Sequence, residues 1–366
     1  MKTVLVVIGT RPEAIKLAPV VLKLKSRPDQ FKVVVCVTAQ HRQILDQVLE
    51  VFEIVPDIDL DLMQDNQSLP SLTARALLSV TDAIRKAEPN VVLVQGDTTT
   101  AMASALAAFY EQVPVGHVEA GLRTCNPSCP FPEEINRRLI SALGHFHFAP
   151  TPKAADALVA EDIPKVNVWC TGNTVVDALQ LILKRPGTLD VGIGCDGRKI
   201  LLVTAHRRES FGQPLENICH ALRELANRNP DVLILYPVHP NPRVQEPVRR
   251  LLSGKKNISL LDPLPYVSFV KLMKECYFVL TDSGGIQEEA PALGKPVLVM
   301  RNETERPEAI EAGTSRLVGT CIDTILCEAE RLLTDPATYL RMSTAISPYG
   351  DGKAAERIAD VLASAF

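Results

Sequence analysis

Three acidic residues in this chain stand where acids are unusual. Asp97 follows the apolar run Val91 to Val94 by two residues, Glu119 closes His117-Val118-Glu119, and Glu133 lies in Phe131-Pro132-Glu133-Glu134. Acids set directly after buried strands are held in place and partly desolvated, so one of them can keep its proton near neutral pH and the set can do acid-base chemistry. The plainer alternative is a capping or loop charge, and Glu134 is set aside for that reason.

Two other segments offer complementary chemistry. Ser283-Gly284-Gly285 follows an apolar run and opens a helical stretch, which would leave backbone N–H groups free at a positive helix end with room for a phosphate; a simple helix cap is the competing reading. Glu289, four residues beyond Gly285, shares its helical face and could accept hydrogen bonds from ribose hydroxyls. Gly9-Thr10-Arg11-Pro12-Glu13 is a second strand-to-helix junction, with Pro12 at a favourable first helical position; Arg11 and Lys16, two cations about one turn apart, can both point at a ligand cleft, and solvated charges on the first turn are the competing reading. His206, followed by Arg207 and Arg208, ends another strand and could balance a diphosphate or protonate a leaving oxygen. His239, flanked by Pro240 and Pro242, reads as a ligand or as a shaped turn.

These residues need strands to hold them. Val4 to Ile8, Val33 to Val37, Val91 to Val94, Val115 to Val118, Ile200 to Val203, Val232 to Leu235, Phe278 to Leu280 and Val297 to Val299 alternate with amphipathic stretches. That rhythm predicts parallel sheets covered on both faces. Lys184 to Lys199 interrupts it with Pro186 and several glycines and reads as a linker. Residues 1–184 and 199–348 are therefore expected to form two α/β Rossmann-like lobes facing a central cleft, with 349–366 a final helix that packs back on the first lobe. Both lobes put an acid and small residues at a strand-to-helix turn, the place where open α/β sheets bind ligands.

Composition narrows the classes. With 366 residues, 46% of them apolar, the chain can fill two cores, and a net charge of −4 without a basic block argues against nucleic acid. The run Val4 to Ile8 is too short for a secretion signal, and no stretch reaches the roughly 20 apolar residues of a membrane span. Nine scattered cysteines fit a reducing cytoplasm better than a disulfide scaffold, and the pair Cys125 and Cys129 lacks zinc-ribbon spacing, so no metal is expected.

In order along the chain, Gln95-Gly96-Asp97-Thr98-Thr99-Thr100, His117 to Thr124, Phe131 to Arg137, His206-Arg207-Arg208-Glu209 and Thr281 to Pro291 resemble the non-hydrolysing UDP-N-acetylglucosamine (UDP-GlcNAc) 2-epimerases from end to end. The resemblance implies a glycosyltransferase B-type fold, a cytoplasmic homodimer, and no metal or nicotinamide cofactor. It carries substrate contacts onto Arg11, Lys16, Asp97, Glu119, His206, Phe269, Ser283, Gly284, Gly285, Glu289 and Arg306. Asp97, Glu119, Glu133 and His206 would then be the catalytic set. Some members bind a second UDP-GlcNAc as activator; Gln40, His41, Gln43 and His239 resemble that site, although an arginine used by some relatives is Asn66 here. Leu264 stands where a glutamine is common.

The implied reaction interconverts UDP-GlcNAc and UDP-N-acetylmannosamine (UDP-ManNAc) by eliminating UDP to a 2-acetamidoglucal and adding it back, supplying surface polysaccharide. A glycosyltransferase of the same fold would need an acceptor site and not three carboxylates. A hydrolysing epimerase would release free N-acetylmannosamine and is often joined to a sugar kinase. A UDP-sugar sensor would have no use for the acids.

Overall fold

The computed structural model describes residues 1–38, 42–62, 64, 67–128, 130–185, 197–304 and 306–365. The chain divides into two compact units, residues 1–181 with 349–366, and residues 182–348. Most of the stretch read as a linker, residues 186–196, falls outside the described residues.

The first unit is built on seven parallel strands, β1 (Lys2–Ile8), β2 (Phe31–Val37), β3 (Ile58–Asp59), β4 (Val91–Gln95), β5 (Val115–Val118), β6 (Phe146–Ala149) and β7 (Val168–Cys170). Their order across the sheet is β3-β2-β1-β4-β5-β6-β7. Helices α1 (Arg11–Lys25), α2 (Arg42–Val51), α3 (Leu69–Ala87), α4 (Thr99–Tyr110), α5 (Glu133–Leu143), α6 (Pro152–Ala160) and α7 (Thr174–Leu183) make the crossovers. Every residue of β4 and β5 is buried, so both sheet faces are covered, which is why β4 reads as the apolar run Val91 to Val94.

The second unit repeats the plan with β8 (Lys199–Thr204), β9 (Val232–Pro237), β10 (Ile258–Leu261), β11 (Phe278–Thr281), β12 (Val297–Val299) and β13 (Ser315–Leu317), ordered β10-β9-β8-β11-β12-β13 and all parallel. Its helices are α8 (Gln213–Arg228), α9 (Pro242–Leu252), α10 (Tyr266–Glu275), α11 (Gly284–Ala292), α12 (Pro307–Glu311), α13 (Ile322–Thr334) and α14 (Pro336–Thr344).

In each sheet the chain winds outward in both directions from a central pair, β1 with β4 and β8 with β11. The carboxyl ends of such a pair open a crevice because the following helices leave to opposite sides. Gly9-Thr10 and Gly96-Asp97 sit at that point in the first unit, His206 and Asp282-Ser283 in the second. Two glycines are dictated there or close by. A Cβ at Gly9 would lie 2.7 Å from Thr100 Oγ1, and one at Gly121, whose φ is +89°, would lie 2.1 Å from the Ala154 carbonyl oxygen.

The last helix, α15 (Ala354–Ser364), belongs to the first unit. Its ion pairs, Lys23 with Glu356 at 2.9 Å and Arg27 with Asp360 at 2.7 Å, are solvent-exposed and worth at most about 1 kcal/mol each. Burial of Ile358, Ala359 and Leu362 holds it more firmly, together with the Asp177 carboxylate, which accepts from the Ala354 and Ala355 amides at 3.2 and 2.9 Å.

Candidate functional site

In the first unit the acids are held in different ways. The Asp97 carboxylate accepts a hydrogen bond on Oδ2 from Arg137 Nε at 2.8 Å and is ion-paired there with Arg137 Nη2 at 2.7 Å, and its main-chain carbonyl accepts from Asn136 Nδ2 at 2.8 Å. Just before it, Gly96 adopts φ +71° and its carbonyl lies 2.7 Å from His117 Nε2. Burial pushes the His117 imidazole down to about 3, against the Gly96 carbonyl, so the ring is neutral and carries its proton on Nε2, facing an atom that can only accept.

Glu119 is paired. Lys16 Nζ donates to Glu119 Oε2 and Oε1 at 2.6 and 2.7 Å, and Gln95 Nε2 donates to Oε2 as well. The two charged side chains are 12% and 5% exposed, so this pair sits in a poorly solvated environment. Glu119 also has φ +66°, rare for a residue with a Cβ and a form of local strain that gathers at functional positions. Lys16, expected from sequence to contact substrate, is ion-paired with this acid in the structure. Arg11 is exposed at the start of α1.

Glu133 opens α5, and its Oε2 is buried without a hydrogen-bond partner among the described residues. Its neighbour Glu134 has a structural role: it accepts from the Thr124 amide at 3.0 Å and from Arg137 Nη1 at 3.3 Å. Burial works to raise this carboxyl, yet Thr124, Arg137 and Arg123 outweigh it and the net direction is downward.

The acid that does keep a proton near neutrality is one the sequence reading passed over. Glu13, 1% exposed, accepts from the Gly9 amide at 3.2 Å and from Thr98 Oγ1 at 2.8 Å, tying the turn after β1 to the N-cap of α4. Burial is the largest influence and Asp97 adds to it, so the carboxyl is pushed up to about 7 despite the Thr10 and Thr98 bonds. In the unfolded chain it would titrate near 4.5. Its contribution to stability is therefore full below that value and is lost as pH rises through about 7, amounting to roughly 3 kcal/mol. Glu13→Gln should gain on the wild type by that order between pH 4 and pH 8, and denaturant midpoints of both proteins across this range test it; a constant gap would contradict it. The signal in sequence was the placement of Glu13 four residues beyond a strand-end glycine.

In the second unit Asp282 is fully buried and accepts from the His206 and Arg207 amides, both at 2.8 Å. His206 Nδ1 stands 3.7 Å from Asp282 Oδ1, and the His206 ring stacks on His239 with centroids 5.2 Å apart. Asp282 thus fixes the turn that carries His206 against the turn that starts α11. Ser283 is the N-cap of α11, with its amide donating to Thr281 Oγ1 at 2.9 Å and its side chain making no cap bond. Along the same helix Glu289 Oε1 accepts from Tyr266 Oη at 3.1 Å, and Glu288 binds the Arg306 guanidinium in a buried pair. Thr304 Oγ1 donates to Gln287 Oε1 at 2.6 Å and accepts from the Arg306 amide at 3.1 Å. Phe269 is half-buried on α10, and His239 Nδ1 accepts from the Asn241 amide at 3.1 Å.

Gln40, His41 and Asn66 lie outside the described residues, as does the side chain of Gln43. Cys129 does too, and no group that could hold a metal occurs among the described residues. No described helix is long and apolar enough to cross a membrane.

Arrays of this kind have known counterparts. The family model for UDP-N-acetylglucosamine 2-epimerase matches residues 22–363. The UDP-N-acetylglucosamine 2-epimerase of Salmonella typhimurium is 53% identical over 370 residues, covering 99% of this chain and 98% of that protein. Among solved structures, the UDP-GlcNAc 2-epimerase of Neisseria meningitidis bound to UDP-GlcNAc superposes with a TM-score of 0.91 at 47% identity, over 98% of this chain and 99% of that one. The glycotransferase of kitacinnamycin, at 14% identity and a TM-score of 0.67 over 99% of this chain and 98% of that one, shares the fold alone, the glycosyltransferase B type.

Proposed function

From the premise that this chain belongs to the UDP-N-acetylglucosamine 2-epimerase family, we propose that it interconverts UDP-GlcNAc and UDP-ManNAc without hydrolysis. The observation that carries this reading is that Glu133 Oε2 is buried with no hydrogen-bond partner among the described residues, on the helix whose Arg137 holds Asp97 at Oδ2. A buried polar atom left without a partner calls for an explanation, and a substrate proton supplies one.

The proton on carbon 2 of the hexosamine is not next to a carbonyl, so its direct removal would leave an unstabilised carbanion. Elimination avoids that. The C1–O bond to UDP breaks as a carboxylate takes the carbon 2 proton, the electron pair forms the double bond of a 2-acetamidoglucal, and UDP adds back to carbon 1 while a proton reaches carbon 2 from the other face. Asp97, Glu119 and Glu133 share these proton transfers. Arg11, Lys16, His206, Ser283 to Gly285 and Arg306 receive the negative charge growing on the departing diphosphate, where loss of one preorganised donor removes roughly 3 to 4 kcal/mol of transition-state stabilisation. Phe269 and Glu289 hold the nucleoside, with Tyr266 fixing the Glu289 carboxylate.

Separating nucleotide products after incubation with UDP-GlcNAc alone tests this. The reading expects UDP-ManNAc with UDP still attached; UDP with free N-acetylmannosamine would make the enzyme hydrolytic.

The phosphate cradle has its own test. A Cβ at Gly285 would meet nothing within 4 Å, and alanine in a helix is favoured over glycine by about 0.5–1 kcal/mol. Gly285→Ala should therefore leave thermal stability unchanged or raised, while UDP affinity measured by calorimetry falls about tenfold or more, ~1.4 kcal/mol. Unchanged affinity would remove the cradle from the account.

A homodimer in the cytoplasm, serving surface polysaccharide synthesis, completes the proposal. Leu78 on α3, Phe109 and Tyr110 at the end of α4, and Ile135 and Leu139 on α5 are exposed large apolar side chains on adjoining helices, which supports self-association. Activation by a second UDP-GlcNAc near Gln40, His41, Gln43 and His239 is kept as part of the same reading.

A further inference from the structure

The groups that hold Asp97 come mainly from one helix. Asn136 and Arg137, three and four residues after Glu133, reach from the first turns of α5 to the main-chain carbonyl and the carboxylate of Asp97. Both Arg137 nitrogens fall on the same oxygen, Oδ2, instead of spanning the two oxygens as a fork. The guanidinium is itself fixed on its far side, where Nη1 meets Glu134 Oε2 at 3.3 Å and that carboxylate is bound in turn by the Thr124 amide. The peptide before Asp97 is gripped by His117. Asp97 is thus immobilised at the preceding carbonyl, at its own carbonyl and at one carboxylate oxygen.

We propose that Asn136 and Arg137 are positioning residues that aim Asp97, leaving Oδ1 as its one working oxygen and setting it in register with Glu133 on the same helix. The proposal rests on the assignment of Asp97 to proton transfer. A carboxylate free to rotate would offer either oxygen in many orientations, whereas one locked at Oδ2 presents Oδ1 along a fixed line; misplacement of a reacting group by about 1 Å costs up to roughly 100-fold in rate. Lysine cannot reproduce the grip, since a point charge on a flexible stem cannot hold Oδ2 and Glu134 together.

The test compares kcat and KM for epimerisation in the wild type, Arg137→Lys, Arg137→Ala and Asn136→Ala. The expected result is a kcat roughly 10- to 100-fold lower for both Arg137 variants, with KM changed by less than about threefold. Added guanidinium should restore kcat of Arg137→Ala at constant KM, a rescue that a merely structural role would not give. Asn136→Ala, which loses one neutral hydrogen bond, provides a milder variant should Arg137→Ala not fold, and is expected to lower kcat about threefold to tenfold at constant KM. A raised KM with normal kcat would mean that Arg137 touches the substrate and would overturn the proposal, as would wild-type kinetics in folded variants or a folded Arg137→Ala that guanidinium leaves unchanged. Absence of epimerisation by the wild type would overturn the functional reading itself; normal wild-type turnover with unaffected variants would overturn only the positioning role.

Discussion

Asp97→Asn is expected to lower turnover by roughly a thousandfold, within the 10²–10⁴ range of acid-base catalysis, while UDP affinity changes by less than about threefold. The amide keeps the size and one acceptor oxygen, so Arg137 can still donate to it and Asn136 still holds the main-chain carbonyl. What disappears is the ability to take a proton. UDP affinity is the control because the groups proposed to bind the nucleotide, Ser283 to Gly285 and Glu289, belong to α11 and its cap in the other unit, which has its own core. Turnover near wild type would remove Asp97 from the chemistry, whereas lost UDP affinity would recast it as a binding residue.

A second large effect concerns stability. Lys16→Met should destabilise the protein by about 3 to 5 kcal/mol, because it strips Glu119 of its cation and leaves a charge in a poorly solvated environment. Gln95 still donates to that carboxylate, on the strained backbone of Glu119, but a neutral amide does not replace the cation. Adding Glu119→Gln to Lys16→Met should recover a large part of the loss, since the stranded charge is then gone. Urea midpoints of the single and double variants measure this. A Lys16→Met protein as stable as the wild type would show that the ion pair is not what keeps Glu119 in place.

The fold was most legible at its centre. β1, β4, β8, β11 and β12 are largely buried on both faces, so apolar runs dominate their sequences, and the strand read over Val115 to Val118 coincides with β5. Strands missed from sequence lie at or next to sheet edges. β3 and β7 end one sheet and β10 and β13 the other. An edge strand faces solvent along one side and can be short, as in β3 with two residues, so it lacks the apolar run that marks a central strand.

The site divides along a similar line. Residue type and position after a strand were enough to single out Asp97, Glu119, His206 and the Ser283-Gly284-Gly285 turn as candidates, because those signals are local. The partners of these groups were not legible. Arg137 lies 40 positions from Asp97, Glu119 lies 103 from Lys16, and Asp282 is bound to amides 76 and 75 positions away. One general rule pointed toward them: a carboxylate at the end of a buried strand needs a cation or several donors close by. The rule does not say which of 39 lysines and arginines answers it. Glu13 was hidden for the opposite reason, since an acid in the first turn of a helix is the commonest place to find one.

Proton NMR of the purified protein with UDP-GlcNAc in deuterated water, with no cofactor added, tests the central claim most directly. Elimination and re-addition predict the manno epimer with UDP attached and deuterium at carbon 2, in both epimers as equilibrium is approached. Epimer formation with the original hydrogen kept at carbon 2, or no epimer under saturating substrate, would contradict it.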